Sequence, residues 1–230
     1  MQLLVLLMGK QQFLPERLPL VVLKQTGLEK GKERFCKMAA FRSILQAKGW
    51  DCLIIPKVRL YKCFLVEERF SINTDPGYNA NLYLSNLDDC NDAVRQFTRL
   101  FMTAGYIDYL VQKNHGDDGV LRIRYDNIPL VLQEKHGKRK VYIALIDLER
   151  SQLGDNVKSI VHRLYILASL FPFHRKLIEE ESRYAFVNIG ESERTIIDRA
   201  ILNSKQYLQR ESQHYLTCIQ EQSKISTSHK

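Results

Sequence analysis

The stretch RYDNIPLVLQEKHGKRKVYIALIDLE, Arg124 to Glu149, decides how the chain is read. Two short apolar runs, Ile128 to Leu132 and Val141 to Ile146, flank the charged segment His136-Gly137-Lys138-Arg139-Lys140, which is the pattern of a β-hairpin. Asp126 and Asn127 lead into it, and Asp147, Leu148 and Glu149 lead out. A hairpin returns the chain to where it set out, so Asn127 and Asp147, 20 residues apart, are predicted to be neighbours in space. Asp147 follows directly on Ile143-Ala144-Leu145-Ile146, and a carboxylate near a core is costly unless it is paired, hydrogen-bonded or metal-bound.

Towards the N-terminus, Leu18 to Leu23 (LPLVVL) reads as a strand that ends in Lys24, with the turn Gln25-Thr26-Gly27 behind it. Glu33 to Lys48 reads as an amphipathic helix stopped by Gly49, with Trp50 a core or turn aromatic. The runs Cys52 to Ile55 and Tyr61 to Val66 are expected to be two adjacent strands, followed by a connector from Glu67 to Phe70. Asp75-Pro76-Gly77 marks a boundary between a first, mixed region (1–73) and a second (74–221). Beyond it, Val94, Phe97, Leu100, Phe101, Ala104, Ile107 and Leu110 form one stripe of a helix predicted over Asp92 to Val111, with Asn91 as its cap. The chain then reads as mostly helical from Val157 to Ile219, broken at Pro172, with Ile196 to Cys218 packing within the molecule. A frayed tail is expected over residues 222–230.

With 230 residues, 45% hydrophobic and 26% charged, the chain has the composition of a globular protein and not of a disordered or fibrous one. No apolar run approaches the roughly 20 residues that span a bilayer, and Met1 to Gly9 reads as a strand, not a signal peptide. Five cysteines without a C-x-x-C pair suggest a reducing, cytoplasmic setting and no zinc site. The net charge is +8, of which residues 1–70 supply +7, with 13 Lys and Arg against 6 Asp and Glu. These charges are spread among acids and apolar positions, so they predict a solvated basic face, and no DNA or RNA partner is expected.

The succession of strand, helix, two strands, connector, long helix, hairpin and helices, with Lys24 ending its strand, resembles the bilobal protein-kinase-like fold over roughly residues 15 to 180. In particular it resembles the divergent aminoglycoside-kinase-like branch, where an apolar residue and Glu follow the metal-binding aspartate. The runs PLVVLKQTG, IIPKVRLYKCFLVEERF and RYDNIP also look like kinase-like proteins of chlamydia-type intracellular bacteria. The resemblance implies an α+β protein with an incomplete, β-rich small lobe and a mostly helical large lobe. It implies that Lys24 contacts the phosphates of ATP, and that Asn127 and Asp147 hold Mg²⁺ with hard oxygen ligands.

Three departures from the family pattern point to lost phosphotransfer. Counting five residues back from Asn127, where the family carries its catalytic base, lands on Arg122, a guanidinium that accepts no proton. Asp117, in His115-Gly116-Asp117, and Asp126 are the alternative carboxylates. The helix from Glu33 to Lys48 offers no glutamate beyond Glu33 itself, which leaves Lys24 without the expected partner. Residues 1–23 contain only Gly9 where a glycine-rich loop belongs, and Gly27 to Glu33 is one residue short of a P-loop. Three functions stay open: a pseudokinase that binds nucleotide or a protein partner, an active ATP-dependent phosphotransferase, and, resting on charge alone and behind the other two, a basic nucleic-acid-binding protein.

Overall fold

Pro56 splits the first region in two, because it has no N–H to give to a ladder. In the computed structural model, which describes residues 21–62, 64–68, 75–103, 111–113, 121–135, 137–146, 148, 160–183 and 190–228, the chain on either side of Pro56 joins different sheets. After it, β3 (Val58–Tyr61) and β4 (Phe64–Glu68) form an antiparallel hairpin that turns at Lys62, whose φ of 53° is left-handed. β1 (Val21–Gln25) pairs with the other edge of β4, in the order β1-β4-β3, with Lys24 opposite Leu65. Before Pro56, β2 (Leu53–Ile54) runs parallel to β8 (Lys138–Ala144) in a second sheet, β2-β8-β7, with β7 at Leu130–Lys135. The runs expected to be adjacent strands are therefore members of separate sheets. The expected connector from Glu67 is also corrected, since Glu67 and Glu68 complete β4.

α1 (Leu28–Lys48) buries Met38, Phe41 and Leu45, and ends at Gly49, which is left-handed at φ 64° and returns its N–H to Gln46. It begins five residues before the predicted start, and Gly31 lets it lie close to the sheet: a Cβ there would meet Thr26 Oγ1 at 2.7 Å and Leu60 Cδ1 at 2.9 Å. α2 (Pro76–Ser85) opens with Asp75 accepting the N–H of Tyr78 at 2.8 Å and Pro76 in the first turn.

α3 (Asn91–Thr103) carries the predicted stripe of Val94, Phe97, Leu100 and Phe101, with Asn91 as its first residue and not its cap. Val111, the expected end of that helix, instead opens β5 (Val111–Lys113), which pairs with β6 (Leu121–Ile123). Gly105, inside the predicted span, is a poor helix residue. α4 (Ile160–Leu170) stops just before Pro172, α5 (Arg175–Arg183) follows, and α6 (Glu191–Ser228) packs on α2 and α4. α6 buries Ile197, Ala200, Ile201, Tyr207 and Leu208 and remains helical through residues 222–228, where fraying was expected.

The molecule is thus α+β, mostly helical with small sheets, and its buried residues form one cluster from Met38 in α1 to Leu208 in α6. No helix among the described residues is long and apolar enough to cross a membrane.

Candidate functional site

Glu67 lies two residues along β4 from the partner of Lys24, a diagonal cross-strand position that a long lysine side chain reaches. Lys24 Nζ is 2.9 Å from Glu67 Oε2. From α1, the Arg34 Nε atom stands 2.9 Å from the other carboxylate oxygen, Oε1. Glu67 is 4% exposed and Arg34 3%, whereas the Lys24 side chain keeps 22% of its surface. The expectation that Lys24 lacks a partner is therefore overturned: its carboxylate comes from the sheet and not from the helix. Glu33 turns instead to Lys37, one helical turn on, at 2.9 Å.

The same guanidinium reaches the hairpin. Arg34 Nη2 donates to the carbonyl of Ile146 at 3.2 Å, and the N–H of Ile146 points to the carbonyl of Asn127 at 3.4 Å. Ala144 donates to Pro129 in the adjoining part of the ladder, so the two ends of the hairpin do meet at Asn127 and Ile146. Asn79 of α2, wholly buried, fixes this corner, with Oδ1 accepting the N–H of Leu130 at 2.8 Å and Nδ2 donating to the Asp75 carbonyl at 3.0 Å. A continuous line of contacts thus joins Lys24 and Glu67 of the β1-β4-β3 sheet, Arg34 of α1, and Ile146 and Asn127 just beyond the ends of the β7–β8 hairpin.

Of the candidate bases, Arg122 sits on β6 opposite Gln112, and Asp126 is held by the guanidinium of Arg124 at 2.8 and 2.6 Å through its two oxygens. Asp117 and Asp147 lie outside the described residues. The Gly27 to Glu33 segment forms the first turns of α1, with Lys32 paired to Glu29 at 3.1 Å, an arrangement unlike a phosphate cradle. Among the described residues, no group of three or more His, Cys, Asp or Glu is placed to hold a metal ion.

Two cations, Lys24 and Arg34, meet the carboxylate of Glu67, and the more exposed of the two is Lys24. Reasoning from sequence missed both Glu67 and Arg34. The available signal was an acid directly after the apolar run Tyr61 to Val66, at a position read from the sequence as a connector.

Other strongly perturbed groups lie apart from this line. Asp51, held by Lys140 and by Gln96, is pulled down to about 2, and burial pushes the Cys90 thiol up to about 12. A thiol so raised is inert at neutral pH. A surface hollow of about 550 Å³, bounded by Arg42, Trp50, Asp51, Ile55, Lys57 and Glu68, lies among α1, β2 and the end of β4, where the Arg42 guanidinium donates to the Pro56 carbonyl. Compared with known proteins, the chain matches no family model, no curated protein and no solved structure.

Proposed function

We propose that the chain is a kinase-like protein of bilobal plan, a nucleotide-binding module that has lost robust phosphotransfer. The observation that carries this reading is the line from Lys24 through Glu67 and Arg34 to Ile146 and Asn127, because it links two residues that the resemblance assigns to one nucleotide site from positions 103 residues apart. The strand order β1-β4-β3 and the return of the hairpin to Asn127 are compatible with that plan. Lys24 would hold the phosphates of ATP, whose charge suits a partly exposed ammonium. Asn127 and Asp147 would supply hard oxygen ligands to Mg²⁺, which draws the phosphate oxygens together when bound.

Among the described residues, neither candidate for the base is free to accept a proton, which favours a binding module over an enzyme. Arg122 has no lone pair to accept a proton, and both oxygens of Asp126 are engaged by Arg124. A positioned base is worth about 10² to 10⁴ in rate, so intrinsic turnover should be absent or very weak.

The test is a thermal shift with ATP and Mg²⁺, since a ligand that binds only the folded state raises its stability, by about 2.7 kcal/mol at a hundredfold excess over Kd. Asp147→Ala should abolish the magnesium dependence of the shift. No shift at millimolar nucleotide would remove the reading. Substantial turnover that disappears in Asp117→Ala or Asp126→Ala would replace it with an active phosphotransferase.

A further inference from the structure

α6 outlasts the body it covers. Ser212 is its last buried residue, and from Gln213 to Ile225, about 20 Å at a rise of about 1.5 Å per residue, no side chain is buried. Tyr215 packs edge-on against Tyr78 of α2, with 5.8 Å between ring centres, and ties the start of this stretch to the molecule. His214 and Cys218, four residues apart, stand one above the other on a single face, and His214 Nε2 lies 3.8 Å from Cys218 Sγ. Thiol and imidazole make only a weak hydrogen bond. The core needs neither group, since His214 is exposed and Cys218 half-buried.

The separation also fits a metal ion. Zinc holds sulfur at about 2.3 Å and nitrogen at about 2.0–2.1 Å, which sets the two ligand atoms about 3.5 Å apart at the tetrahedral angle and about 3.8 Å apart at about 120°. The pair already has the bite of one ion, and closing on it requires no change of backbone. A thiolate and an imidazole are ligands for a borderline-soft ion, unlike the hard oxygens that suit Mg²⁺. Four ligands close a structural zinc site, and among the described residues no third His, Cys, Asp or Glu joins these two. A second copy of the chain brings the same pair through a two-fold axis. Charge does not oppose the approach, because Gln213 to Ile225 holds one acid, Glu221, and one base, Lys224. Ile225, 60% exposed, lies two turns beyond Cys218 on the same face, where such a pairing covers it.

We infer that His214 and Cys218 form half of a tetrahedral Zn²⁺ site, completed by the same two residues of a second copy, so that the metal joins two chains through the C-terminal part of α6. On binding, each Cys218 thiol releases its proton to solvent and each His214 coordinates as the neutral imidazole through Nε2. The chain has no cysteine doublet, and this site needs none. Neither residue belongs to the line from Lys24 to Asn127, so the site stands apart from nucleotide binding.

The test titrates the full chain with Zn²⁺, and with Co²⁺ as its spectroscopic stand-in, under a phosphine reductant that keeps the thiols reduced, while light scattering follows the mass. The expected result is one ion per two chains, a doubled mass that a chelator reverses, and the near-ultraviolet absorption of a cobalt–thiolate bond beside the strong visible bands of a tetrahedral site. Cys218→Ser and His214→Ala should each lose the doubling, whereas Cys36→Ser, at an exposed thiol on α1, should leave both readouts unchanged. None of the three side chains is buried, so the variants keep the fold, which a thermal melt verifies. Three results would overturn the inference. No thiolate band with metal in excess means that the pair does not bind. One ion per chain at unchanged mass means that the site is complete without a second copy. A doubling that survives the chelator, or either ligand variant, means that something other than this metal joins the chains.

Discussion

Two buried polar clusters in this molecule solve the same problem in opposite ways. At the junction of β1, β4 and α1, two cations, Lys24 and Arg34, meet the carboxylate of Glu67, and the Lys24 end reaches the surface. Below α2, the Tyr83 hydroxyl meets His174 Nδ1 at 2.5 Å, and His174 Nε2 meets the Leu87 carbonyl at 3.0 Å, among Tyr125, Phe171 and Phe173. In this second cluster a neutral imidazole accepts from the tyrosine and donates to the carbonyl, so both ring nitrogens are satisfied and nothing is left to offer a ligand. The comparison separates a neutral network enclosed in the core from a charged one whose lysine end reaches the surface.

The largest expected effect follows from breaking the charged cluster on one side. Glu67→Ala removes the carboxylate facing Arg34, which is 3% exposed, and a buried ion pair that loses one partner typically costs about 3–5 kcal/mol. For a chain of this size that corresponds to roughly 6–20 °C in the melting temperature. Arg34→Met combined with Glu67→Met should recover most of the loss, since well-packed apolar replacements of buried pairs are often neutral. Denaturant melts of the single and double variants decide the matter: equal destabilisation in both would mean that the loss is one of packing and not of charge.

The contrast also explains what could be read from the sequence. The β7–β8 hairpin was legible because alternation and a glycine-containing charged turn are local signals, and Gly137 indeed adopts φ 71°. The α3 stripe from Val94 to Phe101 was legible through helical period, and Asp75-Pro76 through capping chemistry. Lys24 and Asn127 were identified as candidates, and the line of contacts between them contains both. Glu67 and Arg34 were not legible. Each is a charged residue of the kind that normally faces water, and only the meeting of β4 with α1, 33 residues away, buries them. The separation of β2 from β3 was equally hidden, since the partner of β2 is β8, 90 residues further on.

The neutral cluster should reveal itself through pH. Burial holds the proton affinity of His174 below the ordinary value of 6.5, against weaker opposing effects of the Leu87 carbonyl and Asp88. Between 6.5 and that lowered value the unfolded chain binds a proton that the folded one does not, so stability falls as pH falls through the window. One proton contributes at most about 1.4 kcal/mol per pH unit. His174→Gln should be less stable than wild type at pH 7 but should lose less between pH 7 and pH 5. Parallel stability curves for the two proteins would show that His174 does not carry this dependence.

The smallest effect belongs to an ion pair that has no share in either cluster. Asp51 Oδ2 meets Lys140 Nζ at 2.6 Å and Oδ1 accepts from Gln96 Nε2 at 3.0 Å, stitching the approach to β2 onto β8 and α3. Its lowered pKa, about 2 against an ordinary 3.8, means that its contribution is present above 3.8 and is lost as pH falls towards 2. The Asp51 side chain is 69% exposed, and solvent screening reduces such a pair to about 0.2–1 kcal/mol, far below the figure expected for Glu67. Asp51→Asn keeps an oxygen for Gln96 and removes only the charge. At low salt the variant should melt slightly below wild type, and the gap should close near 1 M salt, where the screening length falls to about 3 Å. A gap that persists at high salt would mean that the carboxylate acts by hydrogen-bond geometry, and the surface pair would then resemble the neutral cluster more than the charged one.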